Sequence, residues 1–453
     1  MAPPGLRKLA LRREDTQRVI RLAYPVVLGS LSFTLLNMVD TMMLGRLGSL
    51  PLAASGIAGV LFFAVVFPLS SISVGTQALT ARRFGEGSEP QCGQVLLAGL
   101  VLALFIGCPL VASAPWIARF IAPILSPDTE VVALGKTYLL YRLFGAVFLF
   151  LNWVFRGFYA GIGETRQQMI ASIIITGTNI VLDYLLIFGK GGFPRWEIKG
   201  AAIASTLALA LGTVYFVAVT LAPRHRQRFL ASLPSPSIRR WARPILRLSL
   251  PVIGQRGASH ISWFLFFWVV ARIGTSALAA SNVIRSIYHL SIMLAVGLGT
   301  ASAALVGQSL GAEKPDQAER LAWETTKLAA YSMTAVGLLF LLVPDWIFLI
   351  YTSDPEVITV GRLPLRLLGL VQAFAGIAIV LSESLQGAGN TRFVMFAELL
   401  ICAGLYLPSV YGLGLKSPLG LLGAWIAEYL YWGALAALMV RKFRQGDWKR
   451  IVV

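Results

Sequence analysis

A chain of 453 residues that is 57% hydrophobic and 13% charged, with mean hydropathy +0.73, does not fit an ordinary soluble fold. Soluble proteins carry about 25% charged residues, and single soluble cores stop growing beyond roughly 250–300 residues, so a bilayer is the solvent this composition needs. The net charge of +18 sits in short clusters between long apolar runs, with no helix-turn-helix or zinc spacing, which argues against a nucleic-acid partner.

A spanning helix needs about 20 apolar residues. By that ruler the chain holds about twelve, six near 18–45, 52–81, 94–114, 132–155, 167–188 and 199–222, and six near 246–272, 278–308, 321–343, 357–382, 393–414 and 418–440. The expected fold is an all-α membrane protein of two six-helix bundles, 1–222 and 246–453, joined by a cytoplasmic linker at 223–245 rich in Arg, Pro and Ser, including Pro234-Ser235-Pro236-Ser237. Basic residues precede the first span without a short apolar core and cleavage site, so that span is expected to direct insertion. Cys92, Cys108 and Cys402 form no CxxC and no disulfide framework.

The two halves repeat. RLAYPV around Pro25 matches RLSLPV around Pro251, 226 positions on; LAAS at Leu52 matches LAAS at Leu278, and GIGETR at Gly161 matches GAGNTR at Gly387, at the same offset. Three patches at one offset point to duplication. Six spans per repeat is an even number, so both halves face the same way, as in transporters built from parallel repeats with a substrate cavity near the midplane. Lys and Arg concentrate at the N-terminus (Arg7, Lys8, Arg12, Arg13), around Arg82–Arg83 and Arg156–Arg166, in 223–245 and at the C-terminus. These fall on one side of the membrane if spans alternate, which puts both termini in the cytoplasm.

The polar residues that differ between repeats carry the chemistry. Asp40 lies deep in the first span, and its counterpart is Phe266; Asp183 and Asn179 lie in the fifth, and theirs are Ser409 and Leu405. The fold therefore does not require acids there. A carboxylate at helix centre costs roughly 2.5–3.5 kcal/mol on insertion scales, and such acids mark ion or proton pathways. Asn179 and Asp183, at i and i+4, share one helix face. Two carboxylates with amide and hydroxyl neighbours can hold a proton or a hard cation such as Na⁺ through oxygens. Ser205 or Thr206, in GAAIAST, can add another oxygen.

In the second half, Gln255, His260, Glu383, Glu398 and Glu428 lie in or near spans. Laying GAWIAE on GAAIAS sets Glu428 opposite Ser205, at an offset of 223. Pro25 is a hinge candidate because proline removes a helical hydrogen bond, although Pro251 repeats it in the half without the acid. No GxxxxGK[ST], GxSxG or HExxH occurs, which leaves an ion gradient rather than ATP or a cofactor as the energy source, and gives no sign of an enzyme.

These stretches resemble the multidrug and toxic compound extrusion (MATE) family over nearly the whole chain: Asp40 followed by TMMLGRLG, LAASG and LAASN, GTASAALVGQSLGA (299–312), the paired GIGETR and GAGNTR, TNIVLDYLLIFG, KGAAIAST and TSDPEV (352–357). The resemblance implies two bundles in a V shape in the inner membrane, exporting amphipathic, often cationic aromatic drugs by H⁺ or Na⁺ antiport. Asp40, Asn179 and Asp183 are most similar to the branch named for DNA-damage-inducible protein F, whose N-terminal bundle carries the coupling site. Gln255 stands where the sodium-coupled branch has an acid, which favours proton coupling through Asp40, with a Na⁺ site at Asp40, Asn179 and Asp183 as the alternative. In this scheme drug and proton compete for Asp40, and Asn37, Met43 and Asn152 line the cavity. A lipid-precursor flippase shares the fold but is expected to present several bases to a pyrophosphate. With both halves on one chain, a monomer in contact with membrane lipids is the expected working unit.

Overall fold

The structure is a computed structural model and describes residues 11–120, 128–231 and 238–452. Arg7 and Lys8 of the N-terminal basic cluster, and Pro234–Ser237, lie outside the described residues. Long helices follow one another: α1 (Arg13–Gly45), α2 (Ser49–Gly85, interrupted at residues 70–71), α3 (Glu89–Phe120), α4 (Thr129–Phe144 and Ala146–Gly161, bent by 43°), α5 (Arg166–Phe188) and α6 (Glu197–Leu221). The second series is α7 (Ile238–Ile273), α8 (Thr275–Gly311), α9 (Pro315–Leu342), α10 (Pro355–Gly387), α11 (Thr391–Leu415) and α12 (Leu421–Gln445).

Among the described residues, ten of these helices are long and apolar enough to cross a membrane, or eleven with the bent α4 counted as one span. The sequence leads one to expect about twelve. The difference is α7, which has 36 residues but whose apolar run is diluted by Gln255, Arg256, Ser259 and His260.

The helices form two compact units. The first is Leu28–Ile253; the second combines the described part of Met1–Val27 with Gly254–Val453. The two breaks lie inside α1 and α7, two residues after Pro25 and Pro251, and both helices run on through their proline. The described part of the 223–245 stretch belongs to the first unit and is mostly helical. Arg228 grips Glu89 at the start of α3 with two guanidinium nitrogens, and Trp241 Nε1 donates to Gln94 Oε1 at 3.0 Å.

The repeat is physical as well as textual. Gly163 and Gly389 both take positive φ, 82° and 96°, where a side chain is strained. Each closes its helix in the same way: Glu164 N donates to Tyr159 O and Asn390 N to Leu385 O, both at 2.8 Å. A Cβ on Gly161 would meet Thr80 Cβ at 2.8 Å, and one on Gly387 would meet Ala303 O at 2.4 Å. The GxGxTR motif therefore records a tight helix crossing followed by a left-handed cap, once in each unit.

Candidate functional site

Three helices of the first unit bring four of the predicted residues together. Asp40 comes from the last turns of α1, Asn179 and Asp183 from one face of α5, and Ser205 from α6. Asn179 and Asp183 are 0% exposed, Ser205 3% and Asp40 8%. Complementarity turns the Asn179 amide nitrogen toward the acids: it donates to Asp40 Oδ1 at 2.8 Å and to Asp183 Oδ2 at 3.2 Å. The amide oxygen accepts from Ser205 N and Oγ, both at 3.2 Å. The two carboxyl groups also meet each other. Asp183 Oδ1 is buried with no donor, an opening that a proton or a cation would fill.

Sequence reasoning missed a fifth participant. Arg142, on the first segment of α4 and nearly buried, acts electrostatically on both acids. Its guanidinium lies 5.1 Å from the centre of the Phe62 ring. Tyr138, one turn earlier, is buried within reach of Asp40, Asp183 and Arg142. A small, mostly apolar recess bounded by Phe33, Leu36, Phe62, Arg142 and Ser205 opens beside the group.

The other expected residues stand apart from it. Thr206 donates to Tyr141 O at 3.0 Å, so the hydroxyl in contact with Asn179 belongs to Ser205. Asn37 donates to Phe33 O of its own helix at 3.0 Å, and Met43 is half-buried. Asn152 is buried in helix packing, donating to Phe148 O, Leu209 O and Thr213 Oγ1 at 2.7–2.9 Å, while its Oδ1 finds no donor.

The family model MatE matches residues 25–185 and again 251–411, two stretches 226 positions apart. The chain belongs to the MatE family. This is a family of multi-pass membrane transporters, not of enzymes. The MatE chain is 28% identical over 445 residues to the probable multidrug resistance protein NorM of Thermotoga maritima, covering 97% of this chain and 94% of that one. It is 28% identical over 447 residues to the multidrug resistance protein NorM of Burkholderia vietnamiensis, covering 98% and 95%. Its fold superposes with TM-score 0.88 on an outward-facing multidrug resistance MATE transporter of the MOP superfamily, at 22% identity over 100% of both chains. A MATE protein solved in a bent conformation superposes with TM-score 0.84, at 24% identity over 98% of this chain and 97% of that one.

The second unit of this MatE protein has its own buried polar groups. Glu398 accepts from Gln255 Nε2 and Ser259 Oγ, and Gln386 Nε2 donates to Gln255 Oε1 at 3.0 Å. Glu383 and Arg256 lie within electrostatic reach of each other. His260 is exposed, with Nδ1 2.8 Å from the Arg256 carbonyl. Phe266, the counterpart of Asp40, packs on Trp425 with ring centres 5.1 Å apart.

Proposed function

We propose that this protein is an efflux antiporter for amphipathic, often cationic aromatic compounds, driven by protons that bind the Asp40–Asp183 pair. The observation that carries this reading is the meeting of two buried carboxyls under one bridging amide. Two carboxyls held together by one amide repel each other when both are ionised, so the pair titrates as a unit. With one proton the pair carries a single negative charge; when that proton leaves, a second negative charge strengthens the attraction for a cationic drug, and when it returns that added attraction is lost. The curated relatives named as multidrug resistance proteins support the substrate class. The positions of Asp40, Asn179 and Asp183 support placement in the branch named for DNA-damage-inducible protein F.

The buried carboxyl pair is suited to holding a proton, and the alternative is Na⁺ on the oxygens of Asp40, Asn179 and Asp183. Arg142 adds a fixed positive charge beside the same site. The distribution of basic residues supports both termini facing the cytoplasm, the family resemblance supports residence in the inner membrane, and the presence of both halves on one chain supports a monomer as the working unit.

Proteoliposomes loaded with a fluorescent cationic dye test the reading. A pH gradient alone is expected to move dye, and Asp40→Asn to stop it. Movement driven only by a sodium gradient would replace the proton with Na⁺ at Asp40, Asn179 and Asp183. Failure of both gradients would overturn drug export and bring forward a lipid-precursor substrate.

A further inference from the structure

We propose that Glu428 is a second proton-binding site, built into the second unit at the place Ser205 takes in the first. Its use in transport rests on the antiport reading above, but the site itself can be tested without it. The alignment of GAWIAE with GAAIAS puts Glu428 of α12 where Ser205 touches the Asp40–Asn179–Asp183 group. In the second unit the positions of Asp40, Asn179 and Asp183 hold Phe266, Leu405 and Ser409. The acid has thus moved from α1 and α5 to the α6 counterpart, while the location within the bundle is kept.

Glu428 is 3% exposed. Its Oε1 accepts from Tyr288 Oη of α8 at 3.2 Å and from Trp432 Nε1, one turn along α12, at 3.1 Å. Tyr406 of α11 is buried and brings its hydroxyl toward the same carboxyl without completing a hydrogen bond. A π-helical turn, Cys402–Tyr406, sets the direction of that side chain. The turn precedes Pro408, whose ring would clash with the carbonyl four residues back in a regular helix. α5, the counterpart of α11, has no such turn. Wide turns of this kind recur at functional sites.

The chemistry of the neighbours suits a group that changes its protonation. Both donors share Oε1, which leaves the second oxygen for a proton. A tyrosine hydroxyl donates to a carboxylate and accepts from a carboxylic acid, whereas the indole N–H only donates. Tyr288 therefore satisfies either form. The titratable groups facing the site are Tyr288 of α8, Tyr406 and Cys402 of α11, and Tyr429 and Tyr431 of α12, with Glu398 beyond Tyr431 and Cys402. Tyr429 is occupied by Pro364 O of α10 at 3.1 Å. Among the described residues no Lys, Arg or His is a partner of Glu428, so no ion pair locks it in the charged form.

The test is pH-difference infrared spectroscopy of the full chain in lipid nanodiscs, read in the carbonyl region of protonated carboxyl groups. Two contributions are expected, one from the Asp40–Asp183 pair and one from Glu428. Glu428→Gln should remove the second and keep the first, and Glu398→Gln should keep both. Tyr288→Phe, a milder change, should displace the Glu428 band, because the carbonyl stretch reads the hydrogen bonds the group accepts. A Glu428→Gln spectrum identical to wild type, or loss of the band in Glu398→Gln instead, would overturn the proposal. So would a Tyr288→Phe spectrum with every band in place. If Asp40→Asn kept pH-driven dye export while the Glu428 band persisted, the antiport reading through Asp40 would fall and the Glu428 site would stand.

Discussion

The Asn179 amide nitrogen donates to Asp40 Oδ1 at 2.8 Å, so a residue of α5 fixes the carboxyl that α1 carries. The same nitrogen reaches Asp183 and the amide oxygen takes Ser205. Asn179 thus contacts Asp40, Asp183 and Ser205 together. Hydrogen bonds to charged groups contribute about 1.5–3 kcal/mol, and a buried acceptor left unpaired costs further. Asn179→Ala is expected to reduce pH-driven transport by roughly ten- to a hundredfold, the factor those energies imply. The fold should survive, because among the described residues the Asn179 side chain hydrogen-bonds no backbone group but Ser205 N. Initial dye-efflux rates in proteoliposomes at equal protein content check this. A rate equal to wild type would show that Asp40 works without its tether.

Arg142 yields a prediction of opposite sign. It places a fixed positive charge within reach of the site that a cationic drug would use. At an effective dielectric of about 20, a like charge roughly 10 Å away costs about 1–2 kcal/mol. Arg142→Gln should therefore tighten binding of a monocationic dye by about tenfold and leave an uncharged substrate unchanged. Equilibrium titration of both ligands against the purified protein measures it. Equal weakening of both would make Arg142 a packing residue held over Phe62.

Asp40, Asn179 and Asp183 were legible in the sequence for two physical reasons. Charge in a bilayer is costly, and the second repeat does without acids at those positions. The same test applied to Arg142 would have found it, since its counterpart is Leu368; it was hidden inside a run read only for its apolar length. Ser205 and Thr206 are neighbours about 100° apart on a helix, and the sequence alone does not say which faces α5. Packing does, by turning Thr206 to the Tyr141 carbonyl. Asn152, expected within the resemblance's scheme to line the cavity, uses its amide nitrogen to hold α4 to α6. The boundaries of the two compact units lie inside α1 and α7 and depend on long-range packing, which no local pattern in 13–45 or 238–273 encodes.

The two glycines of the repeated motif should differ in their tolerance. A Cβ at position 387 meets a backbone oxygen at 2.4 Å, and backbone has little freedom to move away. At position 161 the nearest atoms are Thr80 Cβ at 2.8 Å and the Gln77 carbonyl oxygen at 3.0 Å, a shallower intrusion against atoms equally tied to backbone. Overpacking of this kind costs typically 1–3 kcal/mol. Gly387→Ala is expected at the upper end of that range and Gly161→Ala at the lower. Thermal unfolding of the detergent-solubilised variants orders them. The reverse order would mean that α2 and α4 are the more rigid pair.

The prolines of α1 and α7 stand at equivalent points of the two repeats, each two residues before a unit boundary. Only α1 carries a buried acid beyond its proline, since Asp40 is replaced by Phe266 in α7. If Pro25 lets the outer part of α1 move with the protonation of Asp40, restoring the helical hydrogen bond should stiffen that step. Pro25→Ala is then expected to lower the transport rate severalfold without lowering thermal stability, since alanine is the better helix former. Pro251→Ala should change the rate less, because no coupling acid rides on α7. Efflux rate and melting temperature measured side by side separate hinge from kink. Equal losses of rate in the two variants would assign both prolines to the shape of the bundles and remove Pro25 from the mechanism.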